Sequence, residues 1–128
     1  MTDQATAAPA VLPSAEYVRR VVTWTAELAP DAVAVSELDG RTWTFAGLAE
    51  EVAKHAAAIP AGARRVGVHA TNDNDSVARL CAVWQSGASA VLLGALLPDA
   101  EAERRLQEAH CDAVLGRDGV RPVLEPGE

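Results

Sequence analysis

The run HATNDND, His69 to Asp75, gathers the side chains in this sequence best suited to move a proton. Imidazole is the one side chain whose ordinary charge change falls near neutral pH. His69 could therefore act as a base toward a small polar substrate held by Thr71, Asn72 and Asp73, with Asp73 or Asn72 completing an acid/base pair. The same residue types have a purely structural use. Asn74 or Asp75 would cap a following helix, Asn72 and Asp73 would shape a turn, and His69 would pack at a strand edge. The other histidines, His55 and His110, fall on the polar sides of helical patterns and read as solvated. Cys81 and Cys111 have neither metal-ligand nor redox spacing and read as small buried apolar groups, so no metal and no cofactor is expected.

A second stretch could act by contact. The tract LLGALLP, Leu92 to Pro98, is unusually apolar for a loop. Leu92, Leu93, Leu96 and Leu97, with Trp43 and Trp84, would form a surface that waits for a partner, because exposed apolar patches and aromatic anchors mark interfaces. The alternative is that all six belong to the core.

These residues need a frame. Residues 1 to 13, rich in Ala, Thr and Pro without periodicity, read as a mobile leader, and 14 to 128 as one domain. Ser14 offers a cap to a first helix carrying Tyr17, Val18, Val21, Val22 and Leu28 at helical spacing, which Pro30 ends. The segments AVAVSE and RTWTF, joined by LDG, suit a tight hairpin. Thr44 then caps a second helix, where Phe45, Leu48, Val52, Ala56 and Ile59 form an apolar stripe and Glu50 pairs with Lys54 on the other face.

RRVGVHA reads as a strand. The helix after TNDND carries Val77, Leu80, Cys81 and Trp84 on one face and stops at Gly87. SAVLL, apolar throughout, reads as a strand covered by helices on both sides. Asp99 to His110 gives a weaker helix with Glu101 facing Arg105, DAVLG a further strand, and GVRPVL a last short one. Strands alternating with helices predict an α/β fold, a three-layer parallel sheet flanked by helices, with a small β-hairpin near the N-terminus.

Composition narrows the function. A chain of 128 residues fits one core and leaves no room for a second catalytic domain. Eighteen acids against eleven bases, a net charge of -7, argue against nucleic acid and anionic membrane as partners. No basic leader and no apolar run of spanning length occurs, which makes a cytoplasmic location the expectation.

With the elements in order, the run APDAVAVSELDGRTWTFAGLAEEVAKHAAAI resembles the opening of the adenylate-forming enzymes: acyl-CoA synthetases, peptide-synthetase adenylation domains and luciferases. Their "Thr-Tyr-x-x-Leu" helix start corresponds to Thr44-Phe45-Ala46-Gly47-Leu48. VGVHATNDNDSVARLCAVWQSGASAVLL is similar to their strand, Asn-containing loop and helix leading to Gly-Ala, here Gly87-Ala88, with Leu92-Leu93 in place of the usual Pro-hydrophobic pair. LPDAEAERRLQEAHCDAVL is similar to the next helix and strand, so the resemblance covers residues 14 to about 116.

The resemblance implies that this is the N-terminal portion of such an enzyme, truncated before the ATP-binding motifs. The family's phosphate loop is a Ser/Thr/Gly-rich run ending in Pro-Lys-Gly, whereas the nine glycines here are scattered. The one lysine, Lys54, sits on a helix face. Without these groups an acyl-adenylate reaction lacks its main electrostatic support. The expectation is a non-catalytic accessory, binding or self-associating subunit of bacterial secondary metabolism, whose partner is a larger synthetase-like chain or a second copy. The alternative is a small enzyme with a new acid/base site in the loop from His69 to Asp75.

Overall fold

A computed structural model describes residues 14–123. The expected leader, residues 1 to 13, lies outside the described residues, as does the Ser14 side chain that was to cap the first helix. In chain order the elements are α1 (Ser14–Leu28), β1 (Val33–Ser36), β2 (Thr42–Thr44), α2 (Phe45–Ala58), β3 (Arg65–Ala70), α3 (Asn74–Gln85), β4 (Ser89–Gly94), α4 (Asp99–Glu108), β5 (Ala113–Gly116) and β6 (Gly119–Pro122). β1 and β2 form a separate antiparallel hairpin. Its turn places Gly40 at φ +95°, a conformation that favours glycine.

The main sheet runs in the order β4-β3-β5-β6. β3 pairs in parallel with β4 and β5, and β6 returns antiparallel to β5. Alternation along each strand then sorts side chains onto two faces. Val66 and Val68 of β3 and Leu115 of β5 join Val22 of α1, Leu48 and Val52 of α2, and Ala78, Ala82 and Val83 of α3 in the larger core. On the opposite face Leu93 of β4 and Val114 of β5 pack with Ala102 and Leu106 of α4. Helices on both faces give the three layers, and each fully buried Val or Leu contributes roughly 1.5–3 kcal/mol. Gly67 lets α4 approach, since a Cβ there would stand 2.2 Å from the Leu106 side chain.

Local chemistry sets the helix ends. The Thr44 hydroxyl accepts the Gly47 N–H at 3.1 Å and caps α2. Gly87, at φ +89°, follows α3, where its N–H donates to the Trp84 carbonyl and the Ala88 N–H to the Val83 carbonyl. His110 plays the same part after α4 at φ 57° and is exposed there. Lys54 pairs with Glu51 at 3.0 Å and not with Glu50: the neighbouring carboxylate, three positions away, is the one it meets.

Two expectations about burial change. β4 is an edge strand: Ala90 on its α3 face packs against the larger core and Leu93 on its α4 face is buried, but Leu92, further along the strand, is 58% exposed. The stripe Val77, Leu80, Cys81, Trp84 is not the core face of α3. Val77 and Trp84 are exposed, Leu80 and Cys81 half-buried, and the small residues Ala78 and Ala82 point inward with Val83. Small side chains let a helix lie close to its neighbours, and α3 is wedged among α1, α2, β3 and β4. No helix among the described residues is long and apolar enough to cross a membrane.

Candidate functional site

The loop leaving β3 faces the β1–β2 hairpin across an open cleft of about 560 Å³. Its position follows from the sheet: β3 ends at Ala70, and Thr71 to Asp73 carry the chain into α3. Asp73, not Asn74 or Asp75, is the cap. Its extended backbone stands before the first turn, and its Oδ1 accepts the Ser76 N–H at 2.9 Å and the Thr71 hydroxyl at 2.7 Å. Oδ2 meets Arg117, from the turn between β5 and β6, at 3.2 Å. Ser76 reciprocates through its hydroxyl oxygen, which accepts the Thr71 N–H at 3.1 Å. The cap reads one position earlier than expected because Asn74 is the first residue of the helix and is buried.

The Asp73 carboxyl is pushed up by partial burial. The Thr71 hydroxyl, the Ser76 N–H and the charges of Arg117 and Arg79 together outweigh this and hold its pKa below the ordinary carboxylate value. A second carboxylate closes the helix end from outside: Glu37 of the hairpin accepts the Asn74 N–H at 2.9 Å and pairs with Arg41 at 3.2 Å. Two acidic groups thus occupy a helix N-terminus, where the helix dipole favours negative charge.

The residue that sequence reasoning missed is Arg79. It stands on the inward side of α3, 1% exposed, and donates from Nη2 to the His69 carbonyl at 3.2 Å and to Thr71 Oγ1 at 3.1 Å. Burial lowers its pKa while Asp73 and Asp75 raise it, and a guanidinium stays charged through such a shift. Its Nε and the Asn74 Nδ2 are buried without a hydrogen-bond partner. A signal existed: Arg79 is the lone cation in DSVARLCAVW, four residues after Asp75.

The structure brings together Thr71, Asp73 and Ser76, with Arg79 beneath them. It does not bring the His69 ring to Asp73: among the described residues no hydrogen bond or ion pair joins them. His69 is half-buried at the end of β3, its ring 3.4 Å from where a Cβ on Gly116 would stand. Asn72 is exposed at the cleft. His55 is half-buried, and burial lowers its pKa despite the nearby Glu51. No group of His, Cys, Asp and Glu among the described residues could hold a metal ion.

Of the six contact candidates, three are on the surface. Leu92 is 58%, Leu96 99% and Trp84 38% exposed. Leu93, 2% exposed, points under α4 because it alternates with Leu92 along the strand. Leu97 packs against the same smaller core. Trp43 on the hairpin is half-buried against the larger one. A second groove, of about 500 Å³, runs between α1 and α3 beside the open strand and is lined by Val18, Arg19, Trp84, Gly87 and Ala88 to Ala90.

A model of the AMP-binding enzyme family matches residues 22–126. No curated protein matches the chain. Among solved structures, IdnL7 is 27% identical at a TM-score of 0.66, over 78% of this chain and 20% of that one. O-succinylbenzoate coenzyme A synthetase from Bacillus subtilis, solved with AMP, is 24% identical at a TM-score of 0.63, over 74% of this chain and 26% of that one. VinN, solved with L-aspartate, is 20% identical at a TM-score of 0.64, over 76% of this chain and 28% of that one. The chain therefore spans about a quarter of the length of the solved proteins it matches.

Proposed function

Since the chain belongs to the AMP-binding enzyme family, we propose that this stretch is the docking part of an adenylate-forming fold: it makes no acyl adenylate itself and binds a larger adenylate-forming chain through the open side of its sheet. The observation that carries this is the open edge at β4, where Leu92 stands exposed on a strand with no further neighbour and Trp84 lines a groove beside Ser89 and Ala90. Large apolar side chains that are left out of a core and gathered at one side favour an interface. Two features support the lack of chemistry. The 128 residues hold a single lysine and no glycine-rich cradle for phosphates. The polar loop after β3, the best acid/base candidate in the sequence, spends the Asp73 carboxylate on a helix cap and on Arg117. A role in bacterial secondary metabolism is part of the same reading.

The test has two arms. The purified chain, given ATP, labelled pyrophosphate and a panel of carboxylic acids, is expected to exchange no label. A tagged copy purified from its own source is expected to carry, in equimolar amount, a chain that mass spectrometry identifies as having the phosphate loop and the catalytic lysine of an adenylate-forming enzyme. Exchange by the chain alone, or a purified chain with no such companion, would overturn the reading.

A further inference from the structure

The chemistry of the β4 edge says what kind of segment fits it. The Ser89 N–H donates to the Arg64 carbonyl at 2.8 Å, so the peptide groups of Ser89, Val91 and Leu93 turn toward β3. By alternation those of Ala90, Leu92 and Gly94 turn outward; Ala90 and Leu92 offer a donor and an acceptor each to a further strand and Gly94 its N–H, its carbonyl already accepting the Leu97 N–H at 3.2 Å. Exposed edges are usually blunted by proline, charge or a bulge. The SAVLLG edge has no proline and no charge, and it pairs with β3 in unbroken register over all six residues.

What flanks this edge differs between its two faces. On the α1/α3 face stands Trp84, with Val18 and the strand residues Ser89 and Ala90 lining the same groove, and Leu92 is exposed further along the strand. On the α4 face, Arg104, Arg105 and Glu108 line a groove with Val91, Leu92 and Leu93. Arg105 engages Glu101 through Nε, at 3.0 Å, and its terminal nitrogens make no hydrogen bond among the described residues. Arg104 divides itself between Glu101 and Glu108. A strand laid along this edge would thus present alternate side chains to an apolar strip and to a pair of guanidinium groups.

The geometry points to β4 as the acceptor of one extended strand from the partner chain, a strand in which apolar side chains alternate with carboxylates. The inference rests on the docking role proposed above and specifies its mode. Backbone hydrogen bonds to Ala90, Leu92 and the Gly94 N–H supply affinity. Leu92 and Trp84 take the apolar side chains, and Arg105, with Arg104, takes the acidic ones.

The probe is a short fluorescein-labelled peptide in which valine alternates with glutamate, followed by fluorescence polarisation. Three comparison peptides carry N-methyl groups on alternate amides, lysine in place of glutamate, or the same residues in two blocks. The first peptide is expected to bind saturably and the others about tenfold more weakly or worse, the scale of one lost charge pair or backbone contact. Leu92→Lys, at a side chain already exposed, is expected to keep the fold by circular dichroism and to lose binding by a similar factor. Arg105→Glu is expected to shift preference toward the lysine peptide. Equal binding of the N-methylated peptide, or binding indifferent to Leu92→Lys, would overturn the inference. So would a dimer that Leu92→Lys dissociates, because the occupant would then be a second copy. If the tagged Leu92→Lys chain still captures the synthetase chain, docking stands and strand addition falls. If the peptide binds as described and no synthetase chain is captured, the acceptor stands and the docking role falls.

Discussion

The two edges of the main sheet are built on opposite principles. β6 is four residues long, ends in Pro122, and carries Arg121, which reaches α4 and pairs with Glu103 at 2.9 Å. Proline has no N–H to offer a further strand, and a charge held beside an edge makes an approaching strand costly to bury. β4 is six residues long and has neither device. Both edges belong to one small sheet over one pair of cores, so a general need to stay monomeric would act on both. That only one is guarded argues that the other is meant to be covered.

Adjacent leucines at the open edge give the sharpest contrast. Leu93 is 2% exposed and sits under α4, whereas Leu92 is 58% exposed. Leu93→Ala is expected to lower the unfolding free energy by about 2–5 kcal/mol, the usual cost of a cavity in a packed core. Leu92→Ala is expected to stay within about 0.5 kcal/mol, as surface changes do. Urea titration of the isolated chain measures both. A large loss at Leu92 would mean that the edge is already covered within this chain, and the contrast between the edges would fail.

The next effect tests the layer that holds both edges flat. Gly67 lies in β3, between them, and its missing Cβ leaves room for Leu106, itself fully buried. Gly67→Ala is expected to cost about 1–3 kcal/mol by overpacking, because the side chains it would meet, Leu106 and Val114, are both buried. A denaturation midpoint unchanged from the wild type would show that α4 can shift away, and the α4 face of β4 would then be as soft as the other.

How much of this was legible in the sequence follows the same division. Element order, the hairpin, the Thr44 cap and the Gly87 stop follow from periodicity and turn chemistry, which act over a few residues. The orientation of α3 did not follow. Val77, Leu80, Cys81 and Trp84 form the stronger apolar stripe, yet Ala78, Ala82 and Val83 are buried, since periodicity tells that a face is apolar and not what covers it. The shift of the cap to Asp73 and the burial of Arg79 depend on Thr71, Arg117 and Glu37, which tertiary structure brings together. Lys54 chose Glu51 over Glu50 for an equally local reason that spacing alone leaves open.

The Asp73 cap lies at the mouth of the cleft, touches the β6 edge only through Arg117 in the turn before it, and should be indifferent to β4. Asp73→Ala is expected to cost about 1 kcal/mol, the usual worth of a helix N-cap. The sign of its pH dependence is set by its lowered pKa. The folded state holds the carboxylate more readily than the unfolded chain does, so this stabilisation is present above the unfolded pKa and is lost as the pH falls through the folded value. The wild type and the variant should therefore differ at neutral pH and converge in acid. A constant difference down to the acid transition would assign the loss to packing, and strand binding at β4 should be the same in both proteins.

The smallest effect on stability bears hardest on the comparison. Replacing Pro122→Val together with Arg121→Thr removes both guards from β6 while keeping β-forming residues at exposed positions. Stability is expected to change by no more than about 0.5 kcal/mol. Association should change far more, because a strand edge that lacks proline and charge recruits another strand through its backbone. Light scattering over a range of concentrations, with the β4 edge blocked by Leu92→Lys, isolates the new edge: the doubly unguarded β6 should self-associate where the guarded one does not. If it stays monomeric, proline and charge are not what distinguishes the two edges, and the openness of β4 must be explained by its length and by the exposed Leu92.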